Sequence, residues 1–489
     1  MNPPLLLLVL LTGLLLPANA APAAPAPRLN LLLITADDLN ADSMGWMGDR
    51  HGATPALDAF AAGSHRFVRH HVTAPICQPS RQAIMTGRVP HRSGGLGFTP
   101  IHAGTPTLVT LLQRQGYFAG VIDKHPHMKP DSEFPWDVKL SGAGKNPPLM
   151  RQHMDQLLQA AAQAGKPFFI NANITDPHRP FPPSGDADDE PGRKPAEAAS
   201  PRKAARNEVA GQNLARVYQP RDVTVPAFLE DLPPVRREIA QYYTAVSRLN
   251  LTFSNILAAL RASGRADDTI IVFLSDHGMS FPFAKATVYH DGTRSPVLLN
   301  YPGMPPAATH PEFVSSVDLL PTLLELLGLT APGGLDGRSW VPLLRGQAQP
   351  GRDHVITHVN TVSSGLALPQ RCIRTADHAL LFHGWADGTA KFRVEAMSGL
   401  TYKTLEAAGE QDPAIARRVR QLRVGEPLMF FGQKDSAGER RNLIQDPAQA
   451  AEIRRLGGLL LAHMERTGDP ETAAFRKAFA AWQSRTRRD

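Results

Sequence analysis

The sequence predicts an α/β protein in which helices sandwich a large, mostly parallel sheet and a smaller α+β unit follows. Three observations predict it. Apolar runs suited to strands covered on both faces stand at 29–35, 118–122, 167–174 and 269–274, helical stretches separate them, and this alternation fades beyond about residue 350. Strands joined through helices need crossover connections, and those place neighbouring strands parallel.

Residues 1–20, MNPPLLLLVLLTGLLLPANA, form a leucine-rich stretch too short to span a bilayer that closes on the small-x-small pattern Ala18-Asn19-Ala20. This reads as a signal peptide, with a retained anchor as the alternative because no Lys or Arg precedes the apolar run. No other stretch reaches the ~18 apolar residues of a membrane helix. A periplasmic or secreted mature chain without a membrane span is therefore expected. An Ala/Pro spacer (21–27) leads into the main unit, 28–350.

The first strand stops at Ala36-Asp37-Asp38. Thr54-Pro55 then supplies a helix cap and a first-turn proline, with Leu57, Phe60 and Ala61 at helical spacing. Helices are expected at 107–115 and 150–164, closed by Gly116 and Gly165, and a long one at 235–262. The strand at 269–274 closes on Ser275-Asp276-His277-Gly278. Residues 183–220 are polar and Pro-rich, a solvated excursion in preference to a substrate loop. In the C-terminal unit, 351–489, short strands are expected at 371–383 and 427–431 and a helix at 448–467.

The chain has 489 residues, 42% hydrophobic and 20% charged, too apolar for a disordered chain. Its two cysteines, Cys77 and Cys372, exclude a disulfide framework and any CxxC metal or redox site. The net charge of +7 favours anionic partners, but no basic block with interleaved aromatics points to nucleic acid.

Ligands of open α/β sheets bind at the carboxyl ends of strands, so Asp37 and Asp38 can share a crevice with Asp276 and His277. Three converging carboxylates repel unless a cation joins them, and hard oxygen donors suit Ca²⁺ or Mg²⁺. The segment from Cys77 to Gly87 reads as a helix with the cysteine at its mouth, Pro79 in its first turn and Gly87 as its stop. Amides at such a mouth favour a bound oxyanion.

Cys77-x-Pro79-Ser80-Arg81 followed by Thr86-Gly87-Arg88 resembles the signature of the type I sulfatases, members of the alkaline phosphatase superfamily. Ala36-Asp37-Asp38, Thr54-Pro-x-Leu57-Asp58, Ser275-Asp276-His277-Gly278, Ser316-Val-Asp318-Leu-Leu-Pro321-Thr322, Asp336-Gly337-Arg338-Ser339 and Asn442-Leu443 before Asp446-Pro447 resemble further family motifs in the same order. The likeness covers nearly all of 28–470. It implies an alkaline phosphatase-like fold, a catalytic domain over 28–350 and a C-terminal subdomain on a short antiparallel sheet. It also implies conversion of Cys77 to Cα-formylglycine by a formylglycine-generating enzyme.

Carried onto this sequence, the resemblance assigns Asp37, Asp38, Asp276, His277 and residue 77 to a metal, Ca²⁺ in preference to Mg²⁺ or Mn²⁺. The hydrated aldehyde of residue 77 would attack sulfur, with Asp276 assisting its deprotonation and Arg81 stabilising the charge. Lys124 belongs to a segment resembling Gly-Lys-x-x-His in which Asp123 replaces the glycine. Both His125 and His127 are available; the spacing assigns His127 as the base that releases sulfate. His178 would act as acid toward the leaving group and Lys285 would contact sulfate. Asp176-Pro-His-Arg179, Phe281-Pro-Phe283 and the spacing to Lys285 resemble the heparan N-sulfatase branch, which implies a sulfated glycan as substrate. Arg179 would meet a substrate carboxylate or sulfate, or form a structural ion pair. An O-sulfatase, arylsulfatase or phosphonate or phosphate monoester hydrolase is the alternative, and a non-catalytic glycan binder would be expected to have lost Cys77 or the carboxylates. Nothing in the sequence indicates the oligomeric state.

Overall fold

The structure, a computed structural model, describes residues 28–182, 213–433 and 438–486. The expected leader and spacer, and residues 183–212 of the polar excursion, lie outside the described residues. Within the rest, the first strand β1 (Asn30–Asp37) is buried along its whole length. Its neighbours are β6 (Phe168–Pro177) and β7 (Thr269–Ser275), both parallel to it. The remaining strands of this sheet are β2 (His65–Phe67), β4 (Phe118–Ile122), β5 (Val138–Leu140), β8 (Val297–Asn300) and β9 (Thr309–His310). The order is β5-β4-β6-β1-β7-β8-β2-β9, with β8 antiparallel to both β7 and β2. A separate pair joins β3 (His70–His71) to β10 (Val314–Ser315).

Alternate residues of β1 serve opposite layers, as the two-residue period of a strand requires. Leu32 and Ile34 face the helices Pro147–Gln163 and Pro233–Ala262 through Met150, Met154, Leu157, Val246 and Phe253. Leu31 and Leu33 face Ile84 and Met85 of the helix Cys77–Thr86, together with Leu108, Leu112, Leu319 and Leu323. A strand covered on both faces must be apolar throughout, which is why 29–35 reads as an uninterrupted run.

The smaller sheet is antiparallel in the order β11 (His354–Thr361), β12 (Ala367–Thr375), β13 (His378–His383), β14 (Leu428–Gly432). One face, with Ile373, Leu380, Phe382 and Phe430, is covered by the helices Ala450–Thr467 and Thr472–Arg485. The opposite face, with Cys372, Leu381 and Phe431, joins the main core. Both cysteines are buried and unbonded. None of the helices among the described residues is long and apolar enough to cross a membrane.

Three local expectations need correction. The run 371–383 is two strands, because Thr375 Oγ1 accepts the His378 N–H and turns the chain back at Ala376-Asp377. Thr54 does not cap its helix: its hydroxyl donates to Asp58, and Asn250 of the long helix accepts the Ala56 and Leu57 N–H groups instead. The end of the polar excursion is not solvated throughout, since Tyr218 is buried and donates to the His51 carbonyl. In each case a partner remote from the expected local one, or a single turn residue, overrides the local pattern.

Burial holds the His70 and His383 imidazoles at about 4. The unfolded side chains take protons near 6.5, so stability falls as pH drops from there toward 4, with a limiting slope of about 1.4 kcal/mol per unit for each histidine. Urea unfolding of His383→Leu is expected to show about 2 kcal/mol less loss between about pH 7 and about pH 5 than the parent shows.

Candidate active site

Cys77 is the first residue of its helix and all ten residues of Cys77–Thr86 are buried. Ser80 and Arg81 follow at three and four residues, so they share its face of the helix. Ser80 donates to the Asp276 backbone carbonyl at 2.5 Å. Arg81 Nε donates to Asp276 Oδ2 at 3.0 Å, and Nη1 donates to Thr35 Oγ1 at 3.0 Å and Asn173 Oδ1 at 2.5 Å. Gly87 ends the helix at φ 62°, donating to the Ala83 carbonyl. The distal motif residues brace this helix. Asp336 accepts the Val89 N–H and pairs with Arg92, and Asp318 binds Arg352, the Arg338 N–H and Trp340 Nε1. A Cβ on Gly337 would lie 1.9 Å from the Val317 carbonyl oxygen, so no side chain fits there.

Asp37 is the last residue of β1, and Asp38 follows at φ 68°. Asp276 and His277 follow β7. Cys77 Sγ lies 3.5 Å from Asp37 Oδ1 and 3.2 Å from His277 Nε2. One ligand atom each from Asp37, Cys77, Asp276 and His277 falls within 4.8 Å of the others, and a second such group combines Asp37, Asp38, Cys77 and His178. His277 Nδ1 is 2.9 Å from the Gly278 carbonyl, which takes its proton and leaves the Nε2 lone pair facing the thiol. Two or three buried carboxylates with an imidazole fixed in this tautomer fit a divalent cation.

The fixed cations balance these carboxylates. Lys124 pairs with Asp37, Arg81 with Asp276, and Lys285 with Asp38 at 3.0 Å. Burial pushes the Asp37 carboxyl up, but Lys124, His178, Arg81 and Lys285 together hold it well below the usual range. Asp38 rises to about 6, because burial outweighs Lys285 and His277. Burial and then Asp37 push the Cys77 thiol well above its ordinary value.

The histidines differ in what they face. Burial, then Lys124 and Arg81, hold His127 at about 3, whereas His125 lies 3.0 Å from the Ser141 hydroxyl. Of the two, His127 is the one among the charges of the site. His178 Nδ1 lies 2.6 Å from the Arg179 carbonyl, and Nε2 lies 3.7 Å from Glu395. Arg179 is held by Glu238 at 2.5 Å and by the Ser280 carbonyl, between the rings of Phe181 and Phe281. Its guanidinium is thus spent on a structural ion pair. Asp123, in place of a glycine, sits at φ 54° and offsets that strain by accepting the Gly142 and Ala143 N–H groups.

Sequence reasoning missed Glu395, Asn173 and Thr35. Glu395 lies 3.2 Å from Lys285 although 110 residues separate them (395 − 285). No local pattern marks it. Asn173 and Thr35 fill buried strand positions where a polar residue needs a partner, and that is the only signal they carry.

Residues 29–329 match the Sulfatase family, and residues 276–388 match the C-terminal region described as N-sulphoglucosamine sulphohydrolase, C-terminal. The N-sulphoglucosamine sulphohydrolase of Homo sapiens is 30% identical over 352 residues, covering 66% of this chain and 67% of its own. Solved structures share the fold, two of them informative here. One, in complex with its substrate D-glucosamine-2-N,6-O-disulfate, has a TM-score of 0.66 at 18% identity and covers 91% of this chain and 99% of its own. The other is a phosphonate monoester hydrolase from Silicibacter pomeroyi, with a TM-score of 0.64 at 19% identity and coverage of 90% and 96%. The chain belongs to the sulfatase family and is a hydrolase. Within that family it falls in the heparan N-sulfatase branch.

Removing Arg81 leaves Asp276 buried without its guanidinium. Arg81→Met is expected to cost about 3–5 kcal/mol in urea unfolding. Arg81→Lys, which keeps a charge but not the fork, is expected to fold and to lose about 10²-fold or more in sulfate release.

Proposed function

We propose that this sulfatase removes sulfate from a sulfated sugar, N-sulfoglucosamine or a related heparan-type glycan, with Cys77 converted to Cα-formylglycine and a divalent cation, Ca²⁺ foremost, at Asp37, Asp38, Asp276, His277 and residue 77. The observation that carries this reading is the convergence of Cys77, at the mouth of its buried helix, with Asp37, Asp38, Asp276 and His277 from the ends of β1 and β7. The aldehyde, as its hydrate, supplies an oxygen nucleophile. The bound cation supplies Lewis-acid stabilisation of charge on sulfate oxygens.

Arg81 holds the Asp276 carboxylate in a fixed orientation, and Lys124 and Lys285 present two ammonium groups to an anionic sulfate group. Burial, with the field of Lys124 and Arg81, keeps His127 neutral, and its Nδ1 has no hydrogen-bond partner. His178 keeps its Nδ1 proton on the Arg179 carbonyl and presents Nε2, which must gain a proton before it can serve the leaving group. A sulfate bound between the lysines adds negative charge and raises the proton affinity of both rings. Glu395 divides the charge of Lys285 with Asp38.

The D-glucosamine-2-N,6-O-disulfate bound by one fold neighbour and the name of the human relative support the glycan substrate. The phosphonate monoester hydrolase among the fold neighbours supports a second reading, a phosphonate or phosphate monoester hydrolase, beside the alternative of an O-sulfatase or arylsulfatase. We also propose export to the periplasm or medium, with a formylglycine-generating enzyme as the maturation partner.

Sulfate release should be measured from N-sulfoglucosamine, 6-O- and 2-O-sulfated sugars and an aryl sulfate. Release from the N-sulfated sugar is expected, and turnover of O-sulfates alone would remove the N-sulfatase reading. Mass spectrometry of the peptide carrying residue 77 in active protein is expected to show the thiol replaced by an aldehyde; an intact cysteine refutes the modification. Chelation is expected to abolish sulfate release and added Ca²⁺ to restore it, whereas full activity in the chelator refutes the cation.

A further inference from the structure

His91, His358 and Asp469 lie far apart in the chain and are absent from the site above. His91 is on the short helix Pro90–Ser93 that follows the Cys77 helix, His358 is on β11, and Asp469 follows the helix Ala450–Thr467. One ligand atom from each falls within 4.8 Å of the others. The His91 side chain is 3% exposed, and those of His358 and Asp469 are fully buried. Neither ring nitrogen of His91 or of His358 has a hydrogen-bond partner.

A neutral imidazole carries one N–H and one lone pair, and buried polar groups are normally satisfied. Two adjacent histidines whose four nitrogens lack a hydrogen bond, with His91 Nδ1 3.8 Å from Asp469 Oδ2, form an incomplete polar cluster. A cation there would take one lone pair from each ring and one from the carboxylate, each ring keeping its N–H on the other nitrogen. We propose that His91, His358 and Asp469 form a second divalent-cation site, suited to Zn²⁺, that clips the Cys77 helix region to the C-terminal sheet. Nitrogen ligands favour a borderline cation over Ca²⁺ or Mg²⁺.

Asp469 is already oriented. Arg371 donates to Oδ2 at 2.6 Å and Oδ1 at 2.7 Å, and the Glu471 N–H donates to Oδ1 at 3.0 Å. Each carboxylate oxygen has a second lone pair, and such outer hydrogen bonds are what hold a ligating carboxylate in place. The Arg371 charge opposes the cation, so this site binds more weakly than an all-histidine one. The His463 ring lies beside His358, tilted by 40° at 5.4 Å between ring centroids, but its Nδ1 lies 3.1 Å from the Arg466 guanidinium and accepts from it. That leaves its Nε2 protonated, so the ligand set is His91, His358 and Asp469 with a fourth position for water.

The test uses the full chain, stripped with chelator and titrated with Co²⁺ and Zn²⁺. The parent is expected to bind one more Co²⁺ per chain than His91→Gln or His358→Gln, with the visible bands of a nitrogen-ligated, four-coordinate ion. Added Zn²⁺ is expected to raise the thermal midpoint of the parent more than that of either variant. Equal Co²⁺ stoichiometry in parent and variants overturns the proposal. If the variants do not fold, anomalous diffraction from Zn²⁺-soaked crystals of the parent decides it. A zinc peak between His91, His358 and Asp469 supports the site, and its absence at full occupancy of the catalytic centre overturns it.

Discussion

Asp37, Asp38 and Asp276 are buried side by side where β1 and β7 end, and unpaired carboxylates in such a place would each cost several kcal/mol. The surroundings of the site follow from this constraint. Arg81 comes from the opposite layer, Lys124 from the loop after β4 and Lys285 from the loop after β7, one for each carboxylate. His277 turns its proton away from them, toward a backbone carbonyl. Gly278 lets the chain pass so close to Asp291 that a Cβ would meet its carbonyl oxygen at 1.7 Å. Parallel strands make this convergence possible, because they bring the loops after β1, β4, β6 and β7 to one edge of the sheet.

The helix that begins at Cys77 is the other fixed part. It is buried on all sides, and its position sets both the sulfur and, one turn later, the guanidinium. The motifs around Asp318 and Asp336 carry no chemistry of their own in this arrangement. Asp336 holds the chain that follows the helix, through Val89 and Arg92, and Asp318 ties its own segment to Arg338 and Arg352. Such residues recur in a sequence pattern for a mechanical reason: a rigid scaffold keeps reacting groups within a fraction of an ångström of their working positions. The C-terminal sheet contributes as well, since Glu395 reaches Lys285 and His178 from the segment between β13 and β14.

Much of the fold and site was legible in the sequence. The strands β1, β4, β6 and β7 are continuous apolar runs because both their faces are covered, and Cys77, Arg81, Asp37 and Asp276 stand in short local patterns. Less was legible where pairing is remote. Strand β11 and the short β8 lack a strong period, and the turn that splits 371–383 rests on one threonine. Arg179 reads equally as a substrate ligand or a structural ion pair until Glu238, 59 residues away, is seen to take its guanidinium.

The sequence by itself determined the layer architecture, the cysteine at a helix mouth and the acidic residues at strand ends, because periodicity and nearest-neighbour chemistry are local. Only the tertiary structure decided which cation meets which carboxylate, that His127 lies among the charges of the site while His125 meets Ser141, and that Asn250 rather than Thr54 caps the first helix. Those outcomes depend on distances between residues far apart in the chain and on the low dielectric of the interior, where a neighbour a few ångströms away outweighs any local preference.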